Sequence, residues 1–125
     1  MKSLRNPSWR GRKLKRRSDL FLKDIVDAIQ KIKEYTNDIN LEHFKKSPMI
    51  IDAAVRNLEI IGEAVSQIPE DVKQKYSGVP WQEIKDFRNV VIHKYYRVDI
   101  DILWDIIQHK LDGLNDQIEE ILGDS

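Results

Sequence analysis

The stretch from Arg88 to Tyr96 brings a guanidinium, a carboxamide, an imidazole and two phenols together within nine residues. This set suits the cleavage of RNA without a metal ion. A neutral imidazole at His93 can take the proton from a ribose 2′-hydroxyl, which then attacks the adjacent phosphorus. The guanidinium of Arg88 can bind the phosphate oxygens and stabilise the charge that develops on them. Asn89, one helical turn before His93, is placed to hold the imidazole or a substrate oxygen.

The cleavage reaction needs a second proton donor, because the leaving 5′-oxygen must be protonated. One copy of the motif supplies a single imidazole, so we expect two copies to face each other in a homodimer. DNA would not react in this way, since it lacks the 2′-hydroxyl. The residues alone also fit a simpler interpretation. A single His near a helix end is commonly a surface residue, and an Arg-Asn pair is commonly solvated or part of a salt bridge.

Other kinds of catalytic site find little support in the sequence. The three histidines, His43, His93 and His109, form no HxxxH or HExxH arrangement, and the chain has no cysteine. These observations argue against a transition-metal site, so we expect no metal and no cofactor. The sequence also has no Gly-rich phosphate loop and no nucleophile elbow.

Apolar residues place the motif on a predicted helix. They recur at steps of three, three and four, the spacing of an amphipathic helix: Trp81, Ile84, Phe87 and Val91. We therefore predict one helix over residues 81–92, with Asn89 and His93 on a shared face. Tyr95 then follows the end of this helix.

Capping residues and apolar periodicity predict the remaining helices. We expect a first helix from Ser18 to about residue 37, a helical turn at Leu41–Phe44, a long helix from Ser47-Pro48 to Ile68, a short helix at 70–77 and a last helix at 99–123. Ser47 is expected to cap the long helix with its hydroxyl as an acceptor, and Asp99 is expected to cap the last helix. Gly62 inside the long central helix indicates a close approach of another helix. The predicted fold is all-α, an up-and-down four-helix bundle with one additional short helix.

The composition supports a single helical domain, which we place at residues 18–123. The chain is 41% hydrophobic and 34% charged, with only five Gly and four Pro in 125 residues, and this favours helices over a β-sandwich. No apolar run approaches the roughly 20 residues that span a bilayer. We therefore expect no membrane association and a cytoplasmic location.

Residues 1–17 form a basic extension, which we predict to be flexible. They contain eight cations and no acid, so the rest of the chain has 13 basic and 21 acidic residues, a net charge of −8. A basic arm can bind nucleic acid by neutralising phosphates. A disordered, solvated extension and a translation start placed upstream of the true one are the simpler interpretations.

Four sequence blocks carry a resemblance to a known family: Val55–Ala64, Pro80–Ile84, Arg88-Asn89 followed by His93-Lys94-Tyr95, and Val98-Asp99 with Trp104. From about Ser18 to Leu122 the chain resembles the HepT-like branch of the HEPN superfamily, the ribonuclease toxins of two-gene toxin–antitoxin modules. The Arg-x4-His pattern alone would be a weak signal. The four blocks together, in this order, make the resemblance specific.

The resemblance implies a HEPN-like fold and a metal-independent RNA endonuclease that acts as a homodimer, with the motifs of two subunits forming the active cleft. Arg88 and His93 would be catalytic, and Asn89 would be the polar residue that usually follows the Arg. Tyr95 corresponds to the tyrosine that the cognate minimal nucleotidyltransferase antitoxin modifies with AMP from ATP; Tyr96 offers a second phenol. The added nucleotide would bring negative charge and bulk to the place where the RNA phosphate binds.

Two other functions fit the same residues. A non-catalytic helical dimer that binds a nucleotidyltransferase or nucleic acid would form complexes without cleaving RNA. A chain that serves only as the substrate of the nucleotidyltransferase would accept AMP on Tyr95 without being toxic. Arg56 and Glu63 belong to the Val55–Ala64 block, and we expect them to pack within the fold or to support the active site.

Overall fold

The computed structural model describes the backbone of residues 8–93 and 97–124 and the side chains of residues 17–91 and 97–124. Within these residues the chain forms the helices α1 (Ser8–Thr36), α2 (Leu41–Lys45), α3 (Pro48–Gln67), α4 (Glu70–Lys75), α5 (Trp81–Lys85), α6 (Phe87–Val91), α7 (Ile100–His109) and α8 (Leu111–Gly123). Two short strands, β1 (Ile92–His93) and β2 (Arg97–Val98), pair in antiparallel fashion between α6 and α7.

The core lies between the long helices. Helix α1 packs along α3 and also contacts α8, while α5 and α6 cover another side of α3. The side chains at the centre are fully buried aliphatic residues: Ile25, Ile29, Ile32, Leu58, Ile61 and Val65. The predicted all-α class is confirmed, and its four major helical segments are α1, α3, α5 with α6, and α7 with α8.

Helix α1 begins at Ser8, ten residues before the predicted start at Ser18. Arg, Lys and Leu dominate residues 9–17, and all three have a high helix propensity, so the helix extends through them. Ser18 is buried inside α1 and does not cap its amino end. The division of the chain into a basic extension at 1–17 and a domain from residue 18 stays a prediction.

The start of α3 agrees with the prediction, but its capping contact does not. Pro48 is the first residue of α3, and the predicted helical turn before it, Leu41–Phe44, is present as α2. The Ser47 hydroxyl was expected to accept from an amide of α3. It instead donates to the carbonyl of His43 at 2.8 Å, and so it links the end of α2 to the start of α3.

The prediction of one continuous helix over residues 81–92 is wrong. A turn at Asp86 divides it into α5 and α6, because the Asp86 amide donates to the carbonyls of both Gln82 and Glu83 and tightens the chain there. Residue His93 lies in β1, where its backbone pairs with Arg97. Asn89 and His93 therefore do not share a helical face.

Gly62 confirms the predicted close approach to α3. A Cβ atom at this position would lie 3.0 Å from the carbonyl oxygen of Lys85, the last residue of α5. This distance is shorter than ordinary van der Waals contact, so α5 can pack against α3 here only because residue 62 has no side chain. The end of α5, immediately before α6, is thereby fixed against the central helix.

The predicted last helix is present in two parts, α7 and α8, which meet at Lys110. Asp99 caps α7 as predicted, since its carboxylate accepts from the amide of Ile102 at 3.1 Å. The Lys110 ammonium donates to the carboxylate of Glu83 on α5. This hydrogen bond and the attraction between the two charges raise the pKa of Lys110 above its ordinary value. The junction of α7 and α8 is thus tied to α5.

The described residues contain neither a candidate membrane span nor a candidate metal-binding cluster. Between residues 8 and 93 and between 97 and 124, no helix is both long and apolar enough to cross a membrane. In the same part of the chain, no group of three or more His, Cys, Asp or Glu side chains is arranged to hold a metal ion. The cytoplasmic location stays a prediction.

Candidate active site around Arg88

Helix α6 presents Arg88 and Asn89 to solvent because its two ends are anchored in the core. Phe87 and Val91 are buried, whereas Arg88, Asn89 and Val90 between them are exposed. This arrangement follows from the four-residue step between the two apolar residues, which puts both on the face towards α3 and α7. Arg88 and Asn89 are therefore accessible to a ligand.

The guanidinium of Arg88 contacts an acid on the central helix. Its Nε lies 3.2 Å from Oε1 of Glu59 in α3, and the Arg88 side chain remains 51% exposed. The second oxygen of the same carboxylate, Oε2, lies 3.6 Å from Nη1 of Arg56, whose side chain is 66% exposed. Arg56, Glu59 and Arg88 together are called the Glu59 cluster below. The cluster holds two cations and one anion, a formal net charge of +1.

The contact with Glu59 shows that Arg88 is a member of a salt bridge, which is one of the interpretations that the sequence allows. An ion pair this exposed contributes only about 0–1 kcal/mol to stability, because water and salt screen it. The contact therefore orients Arg88 more than it stabilises the fold. The contact between Glu59 and Arg88 could not be predicted from the sequence, because the two residues are 29 positions apart and only the packing of α6 on α3 brings them together.

The other predicted site residues are placed less completely. Asn89 is exposed on α6, and the backbone of His93 lies in β1, two residues after the end of α6. The side chain of His93 lies outside the described residues, as do Lys94, Tyr95 and Tyr96 entirely. The roles of His93 as base and Tyr95 as modification site stay predictions.

Arg97 is a candidate that sequence reasoning missed. Its backbone pairs directly with that of His93 in the short ladder, and its side chain is exposed. Opposite residues in an antiparallel pair have Cα atoms about 4.5–5.5 Å apart, so this cation is attached close to the predicted base. The only signal in the sequence is a basic residue four positions after His93, and without the strand pair this spacing has no evident meaning.

Arg56 and Glu63 were expected to pack or to support the site. Both are exposed, so neither is a core residue. Arg56 belongs to the Glu59 cluster. Glu63, about two turns further along α3, lines a shallow groove with Phe21 and Asp24 of α1. The structure therefore connects Arg56, but not Glu63, to Arg88.

Comparison with known proteins confirms the resemblance found in the sequence. Residues 25–121 match the family model described as "Ribonuclease HepT-like". The chain is 39% identical over 104 residues to "Putative RNase MJ0127" of Methanocaldococcus jannaschii, a match that covers 83% of this chain and 86% of that protein. It is 36% identical over 108 residues to "Probable ribonuclease HepT" of Thermococcus cleftensis, covering 86% and 98% of the two chains.

A longer relative matches over only part of its length. The chain is 34% identical over 103 residues to "Gamma-glutamylcyclotransferase and putative RNase MJ0434" of Methanocaldococcus jannaschii. This match covers 82% of the chain but only 46% of that protein, so the chain spans about half of this relative. No solved structure matches the chain.

Proposed function

The chain belongs to the ribonuclease HepT-like family, and on this premise we propose that it is a metal-independent RNA endonuclease and the toxin of a toxin–antitoxin module. The observation that carries the proposal is the exposed Arg88 of α6, held by Glu59 and followed five residues later by His93. A guanidinium, an imidazole and a carboxamide close together in the chain are the groups that this chemistry requires.

In the proposed reaction His93 removes the proton of a ribose 2′-hydroxyl. The 2′-oxygen attacks the neighbouring phosphorus, and the bond from phosphorus to the 5′-oxygen breaks. The products are a 2′,3′-cyclic phosphate and a 5′-hydroxyl, the latter formed when a second imidazole donates a proton. Arg88 binds the non-bridging oxygens, whose negative charge grows in the transition state.

The second imidazole comes from a second copy of the chain in the proposed homodimer. A two-fold axis places the same surface of each subunit opposite its equivalent, so α6 of one subunit would face α6 of the other. One His93 would then act as base and the other as acid on a single phosphodiester. Asn89, which is exposed beside Arg88, is available to orient a substrate oxygen within the same cleft.

A cognate nucleotidyltransferase antitoxin would inactivate the enzyme by transferring AMP from ATP to Tyr95. The phenol oxygen attacks the α-phosphorus of ATP, and pyrophosphate leaves. Tyr95 is two residues after His93, so the new phosphodiester would add negative charge close to the position of the substrate phosphate. Repulsion and bulk would both oppose RNA binding.

The cleavage proposal predicts that His93→Ala and Arg88→Ala abolish toxicity and RNA cleavage. His93→Ala removes the proposed base and Arg88→Ala removes the cation that stabilises charge in the transition state. We expect cleavage to fall at least about 100-fold in each, the usual scale for losing an acid–base catalyst or one electrostatic stabiliser. The measurement is growth after expression of the chain alone, together with cleavage of purified RNA in the presence of EDTA.

A fully 2′-O-methylated RNA is the matched substrate control, because it keeps the phosphates and lacks the nucleophile. Cleavage of this RNA, or full activity of both variants, would rule out the mechanism. Complex formation with a nucleotidyltransferase but no cleavage by the wild-type protein would favour the non-catalytic dimer. Mass spectrometry of the protein co-expressed with its antitoxin, compared for Tyr95→Phe and Tyr96→Phe, identifies the modified phenol.

A further inference from the structure

We propose that the Glu59 cluster is one RNA-phosphate-binding unit, in which Arg56 binds a phosphate next to the one that is cut and Glu59 positions the guanidinium of Arg88. This inference rests on the proposed function and extends its substrate contacts beyond α6 to the central helix α3. It assigns a binding role to Arg56 and a positioning role to Glu59.

The geometry of the cluster leaves most of its donors available. Glu59 uses Oε1 for Arg88 at 3.2 Å and Oε2 for Arg56 at 3.6 Å, one oxygen for each guanidinium. Each Arg carries five N–H donors, and the carboxylate engages a small part of the ten. The contact to Arg88 is at Nε, so the edge formed by its two Nη atoms remains for bidentate binding of a phosphate.

The spacing of the two cations fits a nucleic acid strand. The two guanidiniums contact the two oxygens of one carboxylate and are therefore near neighbours on the surface, so that each can bind one of two successive phosphates of a strand. Both side chains are at least half exposed, and one carboxylate cannot neutralise both. The result is a small surface with a net positive charge next to the predicted reaction centre, on a body that is otherwise acidic.

Glu59 is expected to weaken RNA binding but to increase the rate of cleavage. Its negative charge reduces the attraction between the cluster and a phosphate, so it does not serve affinity. Its contact holds the long, exposed side chain of Arg88 against a second helix. This restricts the side chain to fewer conformations, so less conformational entropy is lost when the guanidinium binds the reacting phosphate. Loss of the charge with retention of shape should therefore slow turnover without weakening RNA binding.

The role of Arg56 is tested with Arg56→Ala and Arg56→Lys. Binding is measured by fluorescence anisotropy with a 2′-O-methylated RNA at several salt concentrations, and cleavage is measured with the unmodified RNA. For Arg56→Ala we expect Kd and KM to rise about three- to tenfold and the salt slope of log K to fall by about 0.7, the value for one contact to a single strand. Arg56→Lys should recover part of the affinity, because it keeps the charge.

The control for Arg56 is Lys31→Ala, which removes one exposed cation from α1. If Arg56→Ala has the same Kd, KM and salt slope as Lys31→Ala, the binding role of Arg56 is overturned. Both residues are exposed on helices, and circular dichroism confirms that the variants are folded before they are compared.

The role of Glu59 is tested with Glu59→Gln, and Glu120→Gln on the exposed surface of α8 is its control. We expect kcat to fall about tenfold in Glu59→Gln while Kd for the 2′-O-methylated RNA stays the same or decreases. A kcat equal to that of the control, or a weakened Kd at unchanged kcat, overturns the positioning role. If the wild-type protein cleaves RNA and both roles fail, the proposed function stands without this inference. If the wild-type protein leaves RNA intact, the proposed function itself fails.

Discussion

Arg97 occupies the position of β2 that pairs with His93, so its cation is attached next to the residue predicted to start the reaction. Arg88 lies five residues before His93, on α6, and its guanidinium contacts Glu59 of α3. Two cations on separate elements, Arg88 of α6 and Arg97 of β2, therefore flank His93 along the chain. A phosphate that binds there would have donors available from more than one direction, which favours an in-line arrangement of attacking and leaving oxygens.

We predict that Arg97→Ala lowers RNA cleavage about tenfold, because one charge-assisted hydrogen bond to a phosphate is worth about 1.5 kcal/mol. Arg97→Glu should lower it further, since it replaces attraction by repulsion. Cleavage assays on both variants, with Lys31→Ala as the control for a lost surface charge, test this. Equal activity in Arg97→Ala and Lys31→Ala would show that the cation at residue 97 has no part in the reaction.

At the scale of single residues, the sequence showed which side chains could take part in catalysis, but it did not show which residues they contact. The nine-residue motif draws attention to Arg88 by its own composition. Its ion pair with Glu59 depends on the relative rotation of α3 and α6, which no local pattern contains. Arg97 was missed for the same reason, because its relation to His93 exists only through a pair of strands two residues long.

The helices show which part of a sequence pattern is reliable. The four apolar residues Trp81, Ile84, Phe87 and Val91 are all buried, as their spacing predicted. The spacing could not reveal the turn at Asp86, since a short break that preserves the inward face leaves the apolar pattern intact. Helix α3 was predicted to within about one residue, because Pro48 and Pro69 bound it with unambiguous backbone constraints.

The contact between α3 and α5 predicts opposite effects of Ala at two glycines. Gly62→Ala should destabilise the protein by about 1–2 kcal/mol, because the new methyl group would meet the Lys85 carbonyl and force the helices apart. Gly113→Ala, in α8 with nothing within 4 Å of the added Cβ, should stabilise it by about 0.5–1 kcal/mol through helix propensity. Urea denaturation of both variants measures the difference. If Gly62→Ala instead stabilised the protein, α5 would be able to move away from α3 without loss of stability, which would contradict the prediction.

The whole molecule combines a basic amino-terminal region with an acidic body. Eight cations lie in residues 1–17 and the remainder carries a net charge of −8. Since α1 begins at Ser8, the basic residues from 8 onward continue the same helix that packs in the core. An RNA strand would be repelled by much of the body and attracted by this region and by the Glu59 cluster, so electrostatics would restrict where it binds.

We predict that changing Arg10, Arg12, Lys13 and Lys15 together to Gln weakens RNA binding at least about tenfold at low salt, with little difference at high salt. Gln keeps the helix propensity, so the melting temperature should remain close to that of the wild type. Anisotropy titrations with the 2′-O-methylated RNA over a range of salt concentrations provide the measurement. An unchanged salt slope would show that the extension is a solvated appendage without a role in binding.

Helix α6 has only five residues, far fewer than an isolated helix needs to persist in water. The helix is stabilised by the burial of Phe87 and Val91 and by the contacts of α5 and α6 with α3. Such a segment can open as a cooperative unit while α1 and α3 stay folded, so its amides should exchange hydrogen through a local event. A melting curve reports the long helices, and a protein that melts normally can still have lost the segment that carries Arg88.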